Sequence, residues 1–270
     1  MCYLYKLIAI DMDGTLLNDE KKLTKENIKA IKQVKEKGVF TVISTGRPIS
    51  GVKPYLNMFE HGDIDFLVCN NGAVVYNVIQ DKIIHEEHFK RSEIEEIIQM
   101  ADDLEISLHF LDSNQLITHN NPINKYIILD AYLSDMDIFT KTPSALAKHK
   151  HIHKALFTAD SEMLNHKTQL LPQWFVEKYN CVRSDEMYFE ILKENVDKAS
   201  GLKKIMRSLE IDRENVIAIG DQQNDIQMLN LSGLAIAMHN ASPLVKEMAD
   251  IICPDNNSSG VSQVLSDIFF

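Results

Sequence analysis

Two carboxylates, Asp11 and Asp13, stand one residue apart at the end of the apolar run Ile8-Ala9-Ile10, followed by Gly14 and Thr15. The run reads as a buried strand, and strand side chains at i and i+2 face the same way. The two acids therefore start close together, and a turn at Gly14 can splay them. Like charges that close are unfavourable unless a cation or a shared proton compensates. Three more groups have the chemistry to join them: Ser44-Thr45-Gly46-Arg47, the lone Lys198, and Gly220-Asp221-Gln222-Gln223-Asn224-Asp225. Each also has a plain reading by itself. Asp11 and Asp13 could be an Asp-rich turn, Thr45-Gly46 a strand-to-loop turn, and Lys198 a solvated helix start. Asp221 and Asp225 could be a helix cap and a first-turn charge.

What separates these readings is the set of elements that carry the groups. A helix is predicted after Thr24, its N-cap, with Leu23 and Ile28 as a hydrophobic staple; its stripe is Ile28, Ile31 and Val34, and Gly38 stops it. Val39-Phe40-Thr41-Val42-Ile43 and Phe66-Leu67-Val68-Cys69 read as further buried strands, ending at Ser44-Thr45 and Asn70-Asn71-Gly72. Strand, helix, strand is the pattern of a parallel sheet covered on both faces. Such sheets gather ligands at the carboxyl ends of their strands, which would line up Asp11, Thr45 and Asn70.

The texture changes near Ala73. A hairpin around Gln80-Asp81 is followed by a helix over 92–104, capped by Ser92 with Glu95, and then by short strands and polar turns up to Tyr188. The histidines of this block follow no metal-binding spacing, and the alternating His149, His151 and His153 read as a surface segment. The core texture is expected to resume with a strand at Tyr188–Leu192. It continues with a helix from Lys198 or Ala199 to Leu209, strands at Val216–Ile219 and Leu234–Ala237, and helices at Ile226 and Ser242-Pro243. The expected class is α/β: a doubly wound, Rossmann-like, mostly parallel core over 1–85 and 188–270, with an inserted α+β domain over 86–187.

Composition excludes some partners. A net charge of -11 with no basic stripe argues against nucleic acid and against anionic membrane surfaces. No apolar run approaches the roughly 18 residues that a bilayer span needs, and residues 1–6 show no leader pattern. Cys2, Cys69, Cys181 and Cys253 have no Cys-x-x-Cys spacing; Cys69 and Cys253 lie in apolar runs and read as buried thiols. A reduced, cytoplasmic setting is the expectation, with the chain a monomer or weak homodimer.

In their order, the four groups resemble the four motifs of the haloacid dehalogenase (HAD) superfamily. Their wording (MDGTLL, STGRP, NNGA, GDQQNDIQML and AIAMHNA) is similar to that of the Cof-type phosphatases with a type IIB cap. The resemblance spans the whole chain, and the cap is its least specific part. It implies Mg²⁺-dependent hydrolysis of a small phosphomonoester, with Asp11 as nucleophile and Asp13 as general acid and base. A carboxylate that takes the phosphoryl group and loses it to water splits one hard displacement into two. Positioned proton transfer typically adds ~10²–10⁴-fold. Phosphoryl oxygens would be held by Thr45 with neighbouring backbone at Met12 and Gly46, and by Lys198 and Asn224. Mg²⁺ would take the side chains of Asp11 and Asp221 and the backbone carbonyl of Asp13, with Asp225 outside them or bridged by water.

The chain departs from that pattern at Gln222, where glycine is common, at Asp197, where serine is usual, and at His239, where glycine is usual. None removes a catalytic group. The inserted domain would close over the site and favour small substrates, sugar phosphates first, then nucleotides, flavin mononucleotide and pyridoxal phosphate. A phosphoryl-transferring mutase and a non-catalytic phosphometabolite-binding regulator are the alternatives.

Overall fold

The computed structural model describes residues 4–270; Cys2 and the segment examined for a leader, up to Tyr3, lie outside the described residues. In chain order the strands are β1 Leu7–Asp11, β2 Phe40–Ser44, β3 Phe66–Cys69, β4 Val74–Asn77, β5 Lys82–Glu86, β6 Ser107–Leu111 and β7 Gln115–Thr118. They continue with β8 Asp137–Thr140, β9 Lys154–Thr158, β10 Tyr179–Asp185, β11 Tyr188–Lys193, β12 Val216–Gly220, β13 Leu234–Met238 and β14 Ile251–Cys253. They form two sheets, and the chain divides into two compact units.

The first unit holds residues up to Thr45, Lys53–His85 and Asp197–Phe270. Its eight strands run in the order β14-β13-β12-β1-β2-β3-β4-β5, parallel from β14 to β3, with β4 antiparallel to β3. The sequences LIAID, VIAIG and LAIAM explain the central position of β1, β12 and β13. Apolar, β-branched runs without alternation suit strands covered on both faces. The chain leaves β1 for β2 on one side and returns at β12 on the other, so the carboxyl end of β1 is the point where strand order reverses. Open α/β sheets form their ligand crevice there.

The helix Lys25–Glu36 starts as expected, with Thr24 Oγ1 accepting from Asn27 N at 3.3 Å, and Gly38 follows it at φ +81°. Its buried stripe is rotated from the expected one: Asn27, Ala30, Ile31 and Val34 are buried and Ile28 only half-buried. The buried Asn27 donates to Leu16 O at 2.9 Å, and so anchors the chain leaving the first motif. Cys69 and Cys253 are buried free thiols.

The second unit holds Gly46–Val52 and Glu86–Val196. Its sheet runs β10-β11-β9-β6-β7-β8, antiparallel except for the β7–β8 pair. Alternation along β6 and β9 sends Leu108, Phe110 and Phe157 into one apolar cluster and Leu111 and Leu156 into another. Here the expected boundary at Tyr188 is corrected. Tyr188–Lys193 pairs Tyr188 with Thr158 and Ile191 with Ala155, and so belongs to the inserted sheet. A short buried strand reads the same in either sheet, because its partner is chosen by tertiary packing. The helix expected at Ser92 begins at Arg91, and Glu93 accepts from Lys90 N at 2.6 Å in place of the Ser92–Glu95 pair. The supposed surface histidines are not uniformly exposed either, since His153 is 1% exposed.

Candidate active site

Asp11 ends β1, Ser44 ends β2 and Gly220 ends β12, and these strands are parallel neighbours. Asp11, Thr45 and Asp221 therefore emerge along one edge. The turn after β1 is closed by Leu16 N donating to Asp11 O at 3.2 Å and Leu17 N to Met12 O at 2.9 Å. The paired acids on this turn stand in different surroundings. Asp11 is buried, whereas Asp13 is half-exposed and accepts from Lys21 Nζ at 2.9 Å. Gly14 makes the turn at φ +82°, and a Cβ there would collide with Asp221 Oδ2. That carboxylate thus packs directly on the first motif, where Thr15 Oγ1 donates to Asp221 Oδ1 at 3.1 Å.

Lys198 opens the helix Lys198–Leu209 and is 1% exposed. Its ammonium donates to Asp11 Oδ1 at 2.5 Å and Asp225 Oδ1 at 2.7 Å. The neighbouring Asp197 does not compete for it. Asp197 is the helix N-cap, with Oδ1 accepting from Ser200 N at 2.6 Å. Asp225 is fully buried, and its Oδ2 accepts the amides of Asp221 and Gln222, both at 3.0 Å. A Cβ on Gly220 would meet Asp225 Cβ at 2.6 Å, so this close approach needs glycine. Gln222 donates to Asp221 Oδ2 at 3.4 Å, and His239 is exposed, so neither departure from the family pattern disturbs the acids.

One carboxylate oxygen each from Asp11, Asp221 and Asp225 lie within 4.8 Å of one another. With Lys198 between two of them, the ionised cluster carries three negative charges against one positive, an excess of two (3 − 1 = 2). The electrostatics register that excess. Burial, then Asp225, pushes the Asp11 carboxyl well above its ordinary range, and Lys198 pulls it back only in part. Burial and Asp225 likewise push Asp221 up to about 6. Burial works against the Lys198 ammonium, but Asp11 and Asp225 outweigh it and raise its pKa. Desolvated carboxylates in excess fit a divalent cation, and an all-oxygen donor set fits a hard one such as Mg²⁺.

The other expected residues divide. Met12 is a fully buried side chain, so only its backbone can take part. Thr45 is buried, its amide donating to Val68 O at 2.8 Å and its carbonyl accepting from Asn71 N at 3.0 Å. Gly46 follows it in the chain and accepts from Lys154 Nζ at 3.0 Å through its carbonyl. Asn224 donates to Asn71 Oδ1 at 3.0 Å, which ties the fourth motif to the loop after β3. No role for Thr15 or Asn71 is legible in the sequence; a hydroxyl and an amide inside two of the motifs are the only signals.

Comparison with known proteins shows the family. The model of the haloacid dehalogenase-like hydrolase family matches residues 8–265. YxeH of Bacillus subtilis, which carries a provisional phosphatase designation, is 34% identical over 268 residues, 98% of each chain. The 5-amino-6-(5-phospho-D-ribitylamino)uracil phosphatase YcsE of Bacillus subtilis is 31% identical over 264 residues, 96% of this chain and 94% of that one. A haloacid dehalogenase-like hydrolase from Bacteroides thetaiotaomicron superposes with TM-score 0.87 at 28% identity, covering 98% of this chain and all of that one. The HAD subclass IIB sugar phosphatase BT4131 shares the fold, with TM-score 0.81 at 21% identity, covering 97% of this chain and 98% of that one. This chain therefore belongs to the haloacid dehalogenase-like hydrolase family, among relatives named as phosphatases.

Proposed function

We propose that this protein is a Mg²⁺-dependent phosphatase that hydrolyses a small phosphomonoester through an aspartyl phosphate on Asp11. The observation that carries the reading is the buried cluster of Asp11, Asp221 and Asp225 around a single ammonium, Lys198, at the strand-order reversal of the sheet. A binding module has no need of two mutually repelling acids beside such a cluster, whereas phosphoryl transfer depends on positioned charge compensation.

In this reading Asp11 attacks phosphorus while Asp13 protonates the departing ester oxygen. Asp13 then takes a proton from the attacking water, the phosphoaspartate is cleaved, and inorganic phosphate leaves with Asp11 restored. The half-exposure of Asp13 suits this role, since its proton must be exchanged in each cycle. Thr45, with backbone at Met12 and Gly46, holds phosphoryl oxygens, while Lys198 neutralises charge on both Asp11 and the transferring group. Asn224, fixed by Asn71, adds a hydrogen bond at the phosphate.

Asp11 and Asp221 side chains and the Asp13 carbonyl would hold Mg²⁺, which supplies charge neutralisation at the phosphoryl group when bound. Both oxygens of Asp225 already accept hydrogen bonds, so it acts by holding Lys198 and the Asp221–Gln222 backbone in place. Selection of the leaving group is assigned to the inserted unit. The name of YcsE, a phosphatase of a phosphorylated ribityl compound, supports a phosphorylated sugar or polyol as substrate class.

The test is Asp11→Asn. Turnover of p-nitrophenyl phosphate is expected to disappear while the circular dichroism spectrum is unchanged; retained turnover refutes the nucleophile. Release of inorganic phosphate in step with substrate loss separates a hydrolase from a mutase.

A further inference from the structure

The second unit contains a cluster of a different kind, which the proposed hydrolysis does not use. Its first segment is Glu86-Glu87-His88-Phe89, and the segment His151-Ile152-His153 runs beside it. Phe89 N donates to Ile152 O at 2.9 Å, and His153 Nδ1 donates to Glu87 O at 3.0 Å. Because a carbonyl can only accept, Nδ1 of His153 carries the proton, and its Nε2 accepts from Ser113 Oγ at 3.0 Å. His153 is buried, so the two segments are pinned from inside.

On their outer side, Glu86 Oε1 lies 2.8 Å from His151 Nδ1, and the His88 and His151 rings are 5.3 Å apart. One donor atom each from Glu86, His88 and His151 falls within a 4.8 Å group. His151 reaches this position from a left-handed backbone, at φ +65°. A non-glycine residue held there is a conformation that surrounding structure must impose.

We propose that Glu86, His88 and His151 form a Zn²⁺ site that clamps these two segments of the inserted unit. Two imidazoles and one carboxylate are a zinc donor set, with water in the fourth position. Zinc–ligand bonds of about 2.0–2.2 Å in a tetrahedron place donor atoms roughly 3.3 Å apart. His88 and His151 are exposed and Glu86 is half-buried, so small side-chain rotations close the remaining distance. His153, through its bond to Glu87 O, positions the backbone between two of the ligands. The donor chemistry separates this site from the all-carboxylate cluster of the first unit, because imidazole favours zinc over magnesium. Linear spacing conceals it: the ligands come from segments on either side of three strands of the sheet, β6 to β8.

The experiment is calorimetric titration of the full chain with Zn²⁺ in saturating Mg²⁺, followed by Co²⁺ substitution. One equivalent of zinc is expected to bind, with the visible absorption of four- or five-coordinate cobalt at the same stoichiometry. His88→Ala combined with His151→Ala is expected to weaken zinc at least a hundredfold and abolish the cobalt spectrum, without changing p-nitrophenyl phosphate turnover in Mg²⁺. Glu86→Gln, which keeps the side-chain shape, is expected to weaken zinc at least tenfold. Zinc binding unchanged in the double variant, or lost only in Asp221→Asn, overturns the proposal. So does the lack of any binding tighter than millimolar by the unmodified chain.

Discussion

Replacing Lys198 by methionine removes the only ammonium bonded to the Asp11 and Asp225 carboxylates among the described contacts, while keeping most of the side-chain volume. At 2.5 Å and 2.7 Å each attraction is worth roughly 6 kcal/mol at an effective dielectric of 20, before the several kcal/mol that desolvating each ion costs. Taking one partner from a buried pair typically costs ~3–5 kcal/mol. Two carboxylates lose their partner here, so a loss of about 5 kcal/mol is expected near pH 8 without Mg²⁺. The pH dependence gives the argument its signature. Asp11 already has a raised folded-state pKa, and losing Lys198 raises it further. A carboxyl raised on folding contributes most below its unfolded value, about 3.9, and its contribution is lost as pH climbs through the folded value. The deficit of Lys198→Met should therefore shrink steadily from pH 8 towards pH 5. Asp11→Asn added to Lys198→Met removes one stranded charge and is expected to restore about 1–3 kcal/mol. Urea unfolding of the four proteins of this cycle, at both pH values, reads all three quantities. A deficit below about 1 kcal/mol near pH 8, or one indifferent to pH, refutes the view that the cluster is an excess of buried negative charge.

Chelation with EDTA is expected to abolish phosphatase activity and Mg²⁺ to restore it, with Mg²⁺ at a hundred times its dissociation constant stabilising the fold by about 2.7 kcal/mol; activity that survives thorough chelation excludes the metal role. Gly14→Ala should raise the Mg²⁺ concentration needed for half-activation at least tenfold, because its Cβ collides with Asp221 Oδ2 and displaces it; an unchanged activation curve contradicts the packing described. In the inserted unit, burial pushes the Asp130 carboxyl up, but the 2.7 Å bond from His109 and the nearby Lys154 outweigh it and hold it low. That contribution is present above the ordinary carboxyl value near 4 and is lost as pH falls through the depressed one. Asp130→Asn is expected to flatten the acid limb of the stability profile, and an identical limb counts against the pairing.

The primary sequence was enough to find the family. Asp11 and Asp13 are one residue apart on a strand end, and the order of Thr45, Lys198 and Asp221 behind them matches one family's motifs. Strand and helix identity was also legible where the pattern is local, as in the apolar run of β3 and the Thr24 cap. Non-local choices were not. Tyr188–Lys193 has the composition of a buried strand in any sheet, and only pairing with β9 and β10 placed it in the inserted one. The role of Asp197 as the cap of the helix that Lys198 opens is likewise set by a contact that its place beside the lysine does not reveal. Glu86, His88 and His151 had no readable spacing, since metal ligands are recognised by distance in space and the chain between them is folded away. Asp11 and Asp13 show the division most plainly. Their types and spacing were fixed by the gene, but their separate characters, one buried against Lys198 and one half-exposed, came from the turn at Gly14 and the packing of Asp221 on it. Side-chain chemistry is local to a residue, whereas burial and charge partners depend on every element that packs around it.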